Sequence, residues 1–339
     1  MKRGKALMHS AAPWWLPGGN LQTIWPALYA RRGTGERPAY RRERWDTPDG
    51  DFIDVDFLAV VAAQPGQPLL VLFHGLEGSS RSHYAEAFAD WCTRQGVAFA
   101  VPHFRGCSGE LNQAPRAYHS GNFEEVDWVL QRLRAWHTAH GGGSLAAVGV
   151  SLGGNALMRW AGEMGAAAGN TADAVAAVSS PLDLAAGGHA IGRGFNRLVY
   201  TRMFLNTMKP KALAKLAQHP GLFDRERLLA VRDLYEFDRL FTAPLHGFRS
   251  TEDYWARASA KPHLARVRIP ALLVNALNDP FVPAWSLPRQ DAVGPDVALW
   301  QPGHGGHVGF VQGKWPGHVL TMPDAVGRWL LGKVTQRRQ

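Results

Sequence analysis

The stretch Leu145-Ala146-Ala147-Val148-Gly149-Val150-Ser151-Leu152-Gly153-Gly154-Asn155-Ala156-Leu157-Met158-Arg159-Trp160 decides how this chain folds. Its first six residues form a short apolar run, the signature of a strand buried on both faces. From Leu152 the spacing becomes helical, and a helix is predicted to reach Met164. Between the two stands Gly149-Val150-Ser151-Leu152-Gly153, a G-x-S-x-G pattern. Small residues flanking the serine permit a turn tight enough to lift its hydroxyl clear of the sheet, at the start of the helix. Backbone N–H groups and the positive helix end then face any negative charge that develops beside it. In a chain with 37 glycines the five letters alone carry little weight. The strand before and the helix after them supply it.

Outward from this segment the same rhythm repeats. Apolar runs at Pro68 to Phe73, Val97 to Val101, Ala174 to Val178 and Ala271 to Val274 read as strands. Helical stretches at His83 to Gln95 and Phe123 to His140 lie between them. Alternation of this kind predicts an α/β architecture, a mostly parallel sheet covered by helices on both faces. Upstream, Arg42 to Val61 reads as a hairpin turning at Thr47-Pro48-Asp49-Gly50. Before it, Pro13-Trp14-Trp15-Leu16-Pro17-Gly18-Gly19-Asn20 belongs to an ordered but irregular arm, 1–41. The rhythm breaks over 183–268. That stretch holds helical patterns at Phe195 to Thr207, Lys211 to Gln218 and Arg225 to Asp233, and no convincing strand. A helical cap inserted above the carboxyl edge of the sheet is expected there, with 42–182 and 269–339 forming the core.

Bulk properties narrow the field. The chain has 339 residues, 46% hydrophobic and 19% charged, as a folded globular protein should. A net charge of +9 admits nucleic-acid or acidic-membrane contact, but the basic residues are scattered and no nucleic-acid motif accompanies them. Nucleic acid is therefore not expected as a partner, while peripheral attraction to an acidic membrane stays open. No run approaches the ~20 apolar residues of a spanning helix. After the basic start, Ala6-Leu7-Met8 is cut short by His9 and Ser10, too brief for a secretory leader. A frayed N-terminus and a cytoplasmic location are expected. Two cysteines, Cys92 and Cys107, make no disulfide framework, and a free thiol is expected at Cys107. The 14 histidines show no metal-ligand spacing, and no phosphate- or dinucleotide-binding loop opens a helix, so neither metal nor cofactor is expected.

A serine hydroxyl is a weak nucleophile and needs a base that is itself oriented by a carboxylate. In the α/β-hydrolase fold these follow in the order serine, acid, histidine, each on a loop after a strand. Ala271 to Val274 is such a strand, and Asp279 stands in the loop beyond it, before Pro280. After the last strand, Val297 to Trp300, the loop Gly303-His304-Gly305-Gly306-His307-Val308-Gly309 offers two candidate bases, His304 and His307, which spacing does not separate. Oxyanion donors are expected from the backbone N–H groups of Leu152 and of Leu76, in the loop Phe73-His74-Gly75-Leu76-Glu77-Gly78. His74 reads as a brace for that loop, and Arg105 as structural or rim-lining.

The chain resembles the YheT-like branch of the α/β-hydrolases, which includes the ABHD phospholipase and lipase relatives. Besides the elbow, the resemblance rests on Gly19-Asn20-Leu21-Gln22-Thr23, His74-Gly75-Leu76-Glu77-Gly78, Phe104-Arg105-Gly106-Cys107-Ser108-Gly109, Tyr118-His119-Ser120-Gly121 and Gly305-Gly306-His307-Val308-Gly309-Phe310. It implies His307 as the base, and hydrolysis of short- to medium-chain acyl esters or lipid esters. Two other functions fit the same residues: an acyltransferase passing the acyl group to an alcohol, and a non-catalytic binding protein. In the insertion, Phe195, Leu198, Tyr200, Met203, Phe204 and Leu205 are candidates for an acyl pocket or for packing of the cap on the core.

Overall fold

The computed structural model describes residues 11–59 and 64–338, so the basic start of the chain and the end of the expected hairpin at Val61 lie outside the described residues. A first helix, α1 (Gly18–Leu28), leads into an antiparallel hairpin of β1 (Tyr40–Asp46) and β2 (Phe52–Leu58). Strands β3 (Leu69–Phe73), β4 (Ala98–Pro102), β5 (Leu145–Val150) and β6 (Ala174–Val178) follow. They alternate with α2 (His83–Gln95), α3 (Phe123–Ala139) and α4 (Leu152–Met164). After an insertion come β7 (Ala271–Val274), β8 (Val297–Trp300) and a closing helix, Thr321–Arg338. The sheet runs β1-β2-β4-β3-β5-β6-β7-β8, parallel from β4 onward.

Every residue of β3, β5, β6 and β7 is buried, which is why these strands read as unbroken apolar runs. One sheet face packs Leu130, Leu133, Leu157 and Trp160 from α3 and α4. The other packs Phe88 and Trp91 from α2 with Met322 and Val326 from the closing helix. Because Phe73 pairs with Gly149 and Val150 with Val178, the ends of β3, β5 and β6 lie level. Their loops therefore emerge side by side, where ligands of open α/β sheets bind.

Between β6 and β7 the described chain has helices and turns, beginning with α5 (Leu184–Ile191). The expected interruption between Thr207 and Lys211 is absent: a helical run covers 194–218, with a π segment at Arg197–Thr201 and then α6 (Arg202–Gln218), which contains Pro210. A proline inside a helix costs about 3 kcal/mol. Burial of Leu205 and Ala212 against Leu228, Phe237 and Phe241 offsets it. The Arg225 to Asp233 pattern contracts to a helix at Arg225–Ala230, and Asp233 instead caps the next turn by accepting from Glu236 N at 2.9 Å. No helix among the described residues is long and apolar enough to cross a membrane.

Candidate active site

Ser151 sits where β5 turns into α4, at φ 52° and ψ −120°, a backbone conformation that L-residues seldom adopt. The residues two positions before and after it must be glycine for the turn to close. A Cβ on Gly153 would stand 2.4 Å from the carbonyl oxygens of Phe73 and His74, and one on Gly149 2.4 Å from Gly153 O. The sequence pattern is thus a statement about space: β5, α4 and the β3 loop meet with no room for a methyl group.

The structure brings Ser151, His307 and Asp279 into one hydrogen-bonded chain. Ser151 Oγ lies 2.9 Å from His307 Nε2, and His307 Nδ1 lies 2.9 Å from Asp279 Oδ2 and 3.2 Å from Oδ1. A carboxylate only accepts, so Nδ1 carries the imidazole proton and Nε2 is left to accept from the serine hydroxyl. Asp279 is buried, and its Oδ1 also accepts from Phe281 N at 2.8 Å and Val282 N at 3.2 Å. The Phe281 ring lies 4.2 Å, centroid to centroid, from the imidazole and covers it. His304, the competing base, is exposed and makes no hydrogen bond among the described residues.

The His307 loop is held from the other end of the chain. Helix α1 wedges between the Asp279 and His307 loops. Thr23 Oγ1 accepts from His307 N at 2.8 Å, and the buried Gln22 Oε1 accepts from Gly305 N at 3.0 Å and from Asn278 Nδ2 at 2.9 Å. A Cβ on Gly309 would lie 1.9 Å from Gln22 O, so the loop can approach the helix only as glycine. Neither Gln22 nor Thr23 carries a local pattern that points to this role, although both stand in a stretch on which the family resemblance rests. Replacing Gln22 with alanine strands Gly305 N–H and Asn278 Nδ2 without their buried acceptor, which should cost about 2–4 kcal/mol. Loosening the imidazole should also lower kcat by roughly 10- to 100-fold. Thermal melts and steady-state kinetics of Gln22→Ala check both; an unchanged kcat would mean that α1 does not hold the histidine.

The loop after β3 is fixed by two tyrosines. Gly75 N donates to Tyr84 Oη at 2.8 Å and Glu77 N to Tyr118 Oη at 2.9 Å. Between them, Leu76 N–H has no protein acceptor among the described residues, nor has Leu152 N–H at the first position of α4. Both residues line the cavity that contains Ser151 and His307. His74 is fully buried beneath the loop: its Nδ1 donates to Gly75 O at 2.8 Å and its Nε2 accepts from Phe104 N at 3.1 Å. It is a brace. Arg105 is buried among Asp49, Asp51 and Glu125, with N–O distances of 2.9, 2.9 and 2.6 Å, and ties the hairpin to α3. Both cysteines are free and buried, and burial pushes the Cys107 thiol up to about 12.

The cavity over Ser151 is mostly apolar, with Ile191, Phe204, Met208, Trp255 and Phe281 in its wall. A second hollow shares Leu76, Leu152, Met208, Asp238 and Tyr254 with it and runs on under α6 toward Ala212 and Phe241. Of the six candidates for an acyl pocket, Phe204 lines the cavity. Tyr200 and Leu205 are buried in the packing of the insertion. Phe195, Leu198 and Met203 are 50%, 66% and 52% exposed and do not line it. A larger, more polar hollow lies elsewhere, lined by Asp49, Arg116, Glu124 and Arg257, and contains none of the three linked residues.

Three histidines around this site are held neutral. Burial pushes His74 and His119 down to about 3 and His83 to about 4. An unfolded chain binds a proton at each below about pH 6.5, while the folded protein refuses it. Stability should therefore fall as pH drops from about 6.5 toward 4, by up to about 1.4 kcal/mol per pH unit for each group. Asp238 works in reverse: burial raises its carboxyl to about 6, so acidification there favours the folded state, and burial raises Glu125 in the same direction. Burial pushes His137, His246, His263 and His318 down as well, so the groups that lose outnumber the two that gain, and denaturant titrations at pH 7 and pH 4.5 should find the acid form weaker. Equal or greater stability at pH 4.5 would contradict it.

A family model described as the alpha/beta hydrolase fold matches residues 68–314. Over 315 residues the chain is 39% identical to the Escherichia coli protein named "Putative esterase YheT", covering 92% of this chain and 89% of that one. It is 31% identical to mouse phospholipase ABHD3, over 87% of this chain and 75% of the relative. Among solved structures, the Pyrococcus furiosus esterase Pf2001 superposes with a TM-score of 0.54 at 14% identity, covering 88% of this chain and 93% of that one. Est1E from Butyrivibrio proteoclasticus gives 0.53 at 16% identity, covering 88% of this chain and 100% of that one. The sheet order, the serine elbow and these similarities agree: the chain belongs to the α/β-hydrolase family, in its YheT-like branch.

Proposed function

We propose that the chain hydrolyses carboxylic esters through an acyl-enzyme formed on Ser151. Ser151 Oγ attacks the ester carbonyl while His307 Nε2 takes its proton, and Asp279 stabilises the imidazolium that results. The tetrahedral oxyanion rests on the N–H groups of Leu76 and Leu152. Collapse breaks the C–O bond to the alcohol, which leaves with the proton held by His307. Water then attacks the acyl-enzyme, giving its proton to the same nitrogen, and the acid departs as the serine is restored. The observation that carries this reading is the continuous hydrogen-bonded chain from Ser151 through His307 to Asp279, with Leu76 N–H left free beside it.

The relatives named as an esterase and a phospholipase support an ester substrate. The apolar hollows support an acyl group of short to medium length, lying from Ser151 under α6. On this reading 183–268 is a cap, 1–41 is an arm that positions the histidine loop, and the enzyme works in the cytoplasm. A p-nitrophenyl ester chain-length series, with Ser151→Ala as control, tests the proposal. Activity should peak at one acyl length and vanish in the variant, and a fluorophosphonate should label wild type alone. Equal labelling of both proteins would overturn it.

A further inference from the structure

The outward edge of the helical run 194–218 is an exposed surface that the proposed reaction does not use. Phe195, Leu198, Val199 and Met203 recur at the spacing of one helix face and are 50%, 66%, 36% and 52% exposed, while Tyr200 and Leu205 behind them are buried. Arg193, Arg197 and Arg202 are exposed on the same stretch, and none has an ion-pair partner among the described residues. No acidic residue occurs anywhere from Leu184 to Phe223. Apolar side chains interleaved with unpaired cations are the composition of a helix lying in a membrane interface. A second copy of the chain fits poorly, because a two-fold interface would set this arginine-bearing, acid-free face against itself.

We propose that this edge docks on an anionic phospholipid bilayer, with Leu198 and Met203 entering the interface and the three arginines meeting lipid phosphates. The proposal deepens the hydrolase reading and rests on it for its purpose, since Phe204 and Met208 of the same run line the Ser151 cavity. Docking would set the lipid surface against the outer side of the helix whose inner side walls that cavity.

Sedimentation of the full chain with vesicles tests it, comparing phosphatidylcholine alone with equal parts phosphatidylcholine and phosphatidylglycerol, at low and high sodium chloride. Wild type should pellet with the anionic vesicles, weakly with the neutral ones, and be released by salt. Arg193→Gln/Arg197→Gln/Arg202→Gln should lower the partition coefficient on the order of 100-fold, and Leu198→Ser/Met203→Ser roughly 10-fold or more. Both variants should keep wild-type melting and wild-type hydrolysis of a water-soluble p-nitrophenyl ester, which separates lost docking from a misfolded chain. Wild type remaining in the supernatant at low salt, binding indifferent to lipid charge, or folded variants that bind like wild type would each overturn the proposal. So would a concentration-dependent dimer that Leu198→Ser/Met203→Ser dissolves, since the face would then belong to a second copy. An inactive wild type that still binds anionic vesicles would instead refute the hydrolase reading and leave the docking surface standing.

Discussion

Ser151→Ala should lower kcat for a p-nitrophenyl ester on the order of 10⁵- to 10⁶-fold, with His307→Ala losing a similar amount and the double variant losing little more. The losses fail to add because the two groups act as one device: without a base at 2.9 Å the hydroxyl stays protonated, and without the hydroxyl the imidazole has nothing to deprotonate. Residual rate above water would come from the donors at Leu76 and Leu152, which neither change removes. His304→Ala should keep the wild-type rate, because that side chain is exposed and unattached three residues away. Single-turnover measurements with stopped-flow detection give the rates. Additive losses, or an active His307→Ala beside an inactive His304→Ala, would assign the base differently.

Spacing does not tell which of the two histidines the fold brings to Ser151, and the reason is physical. Both stand among glycines in one loop, and what orients His307 is Thr23, 284 residues earlier in the chain. The elbow is legible because its strand, its turn and its helix are contiguous in the chain, even though one of its glycines answers to the distant carbonyls of Phe73 and His74. The sheet was legible for the same reason, since strands buried on both faces leave continuous apolar runs. Helix 194–218 was legible only in part. Proline at 210 predicts a stop, and only the packing of Leu205 and Ala212 against distant aromatics carries the helix through it. Nor does a helical apolar pattern reveal which face meets solvent, so Phe195, Leu198 and Met203 read as pocket candidates although they lie on the outside.

Asp279→Asn should lower kcat by roughly 10⁴-fold while leaving the fold intact. Asp279 Oδ1 is the acceptor for the N–H groups of Phe281 and Val282, and Oδ2 is the acceptor for His307 Nδ1. An asparagine has one acceptor oxygen and one donor nitrogen. Two buried N–H groups on one side claim the oxygen, so the amide nitrogen turns toward the histidine. His307 must then present a lone pair at Nδ1 and carry its proton on Nε2, where it faces the serine hydroxyl and cannot accept from it. Asp279→Ala separates this tautomer effect from simple loss of structure, because it leaves the two N–H groups unsatisfied and should also cost about 2–4 kcal/mol of stability. The asparagine variant should therefore melt near wild type and be nearly inactive, and the alanine variant should be both inactive and weaker. An asparagine variant keeping more than about a tenth of the activity would show that the proton on His307 is placed by some group other than Asp279, since a tenfold loss is only about 1.4 kcal/mol of the barrier.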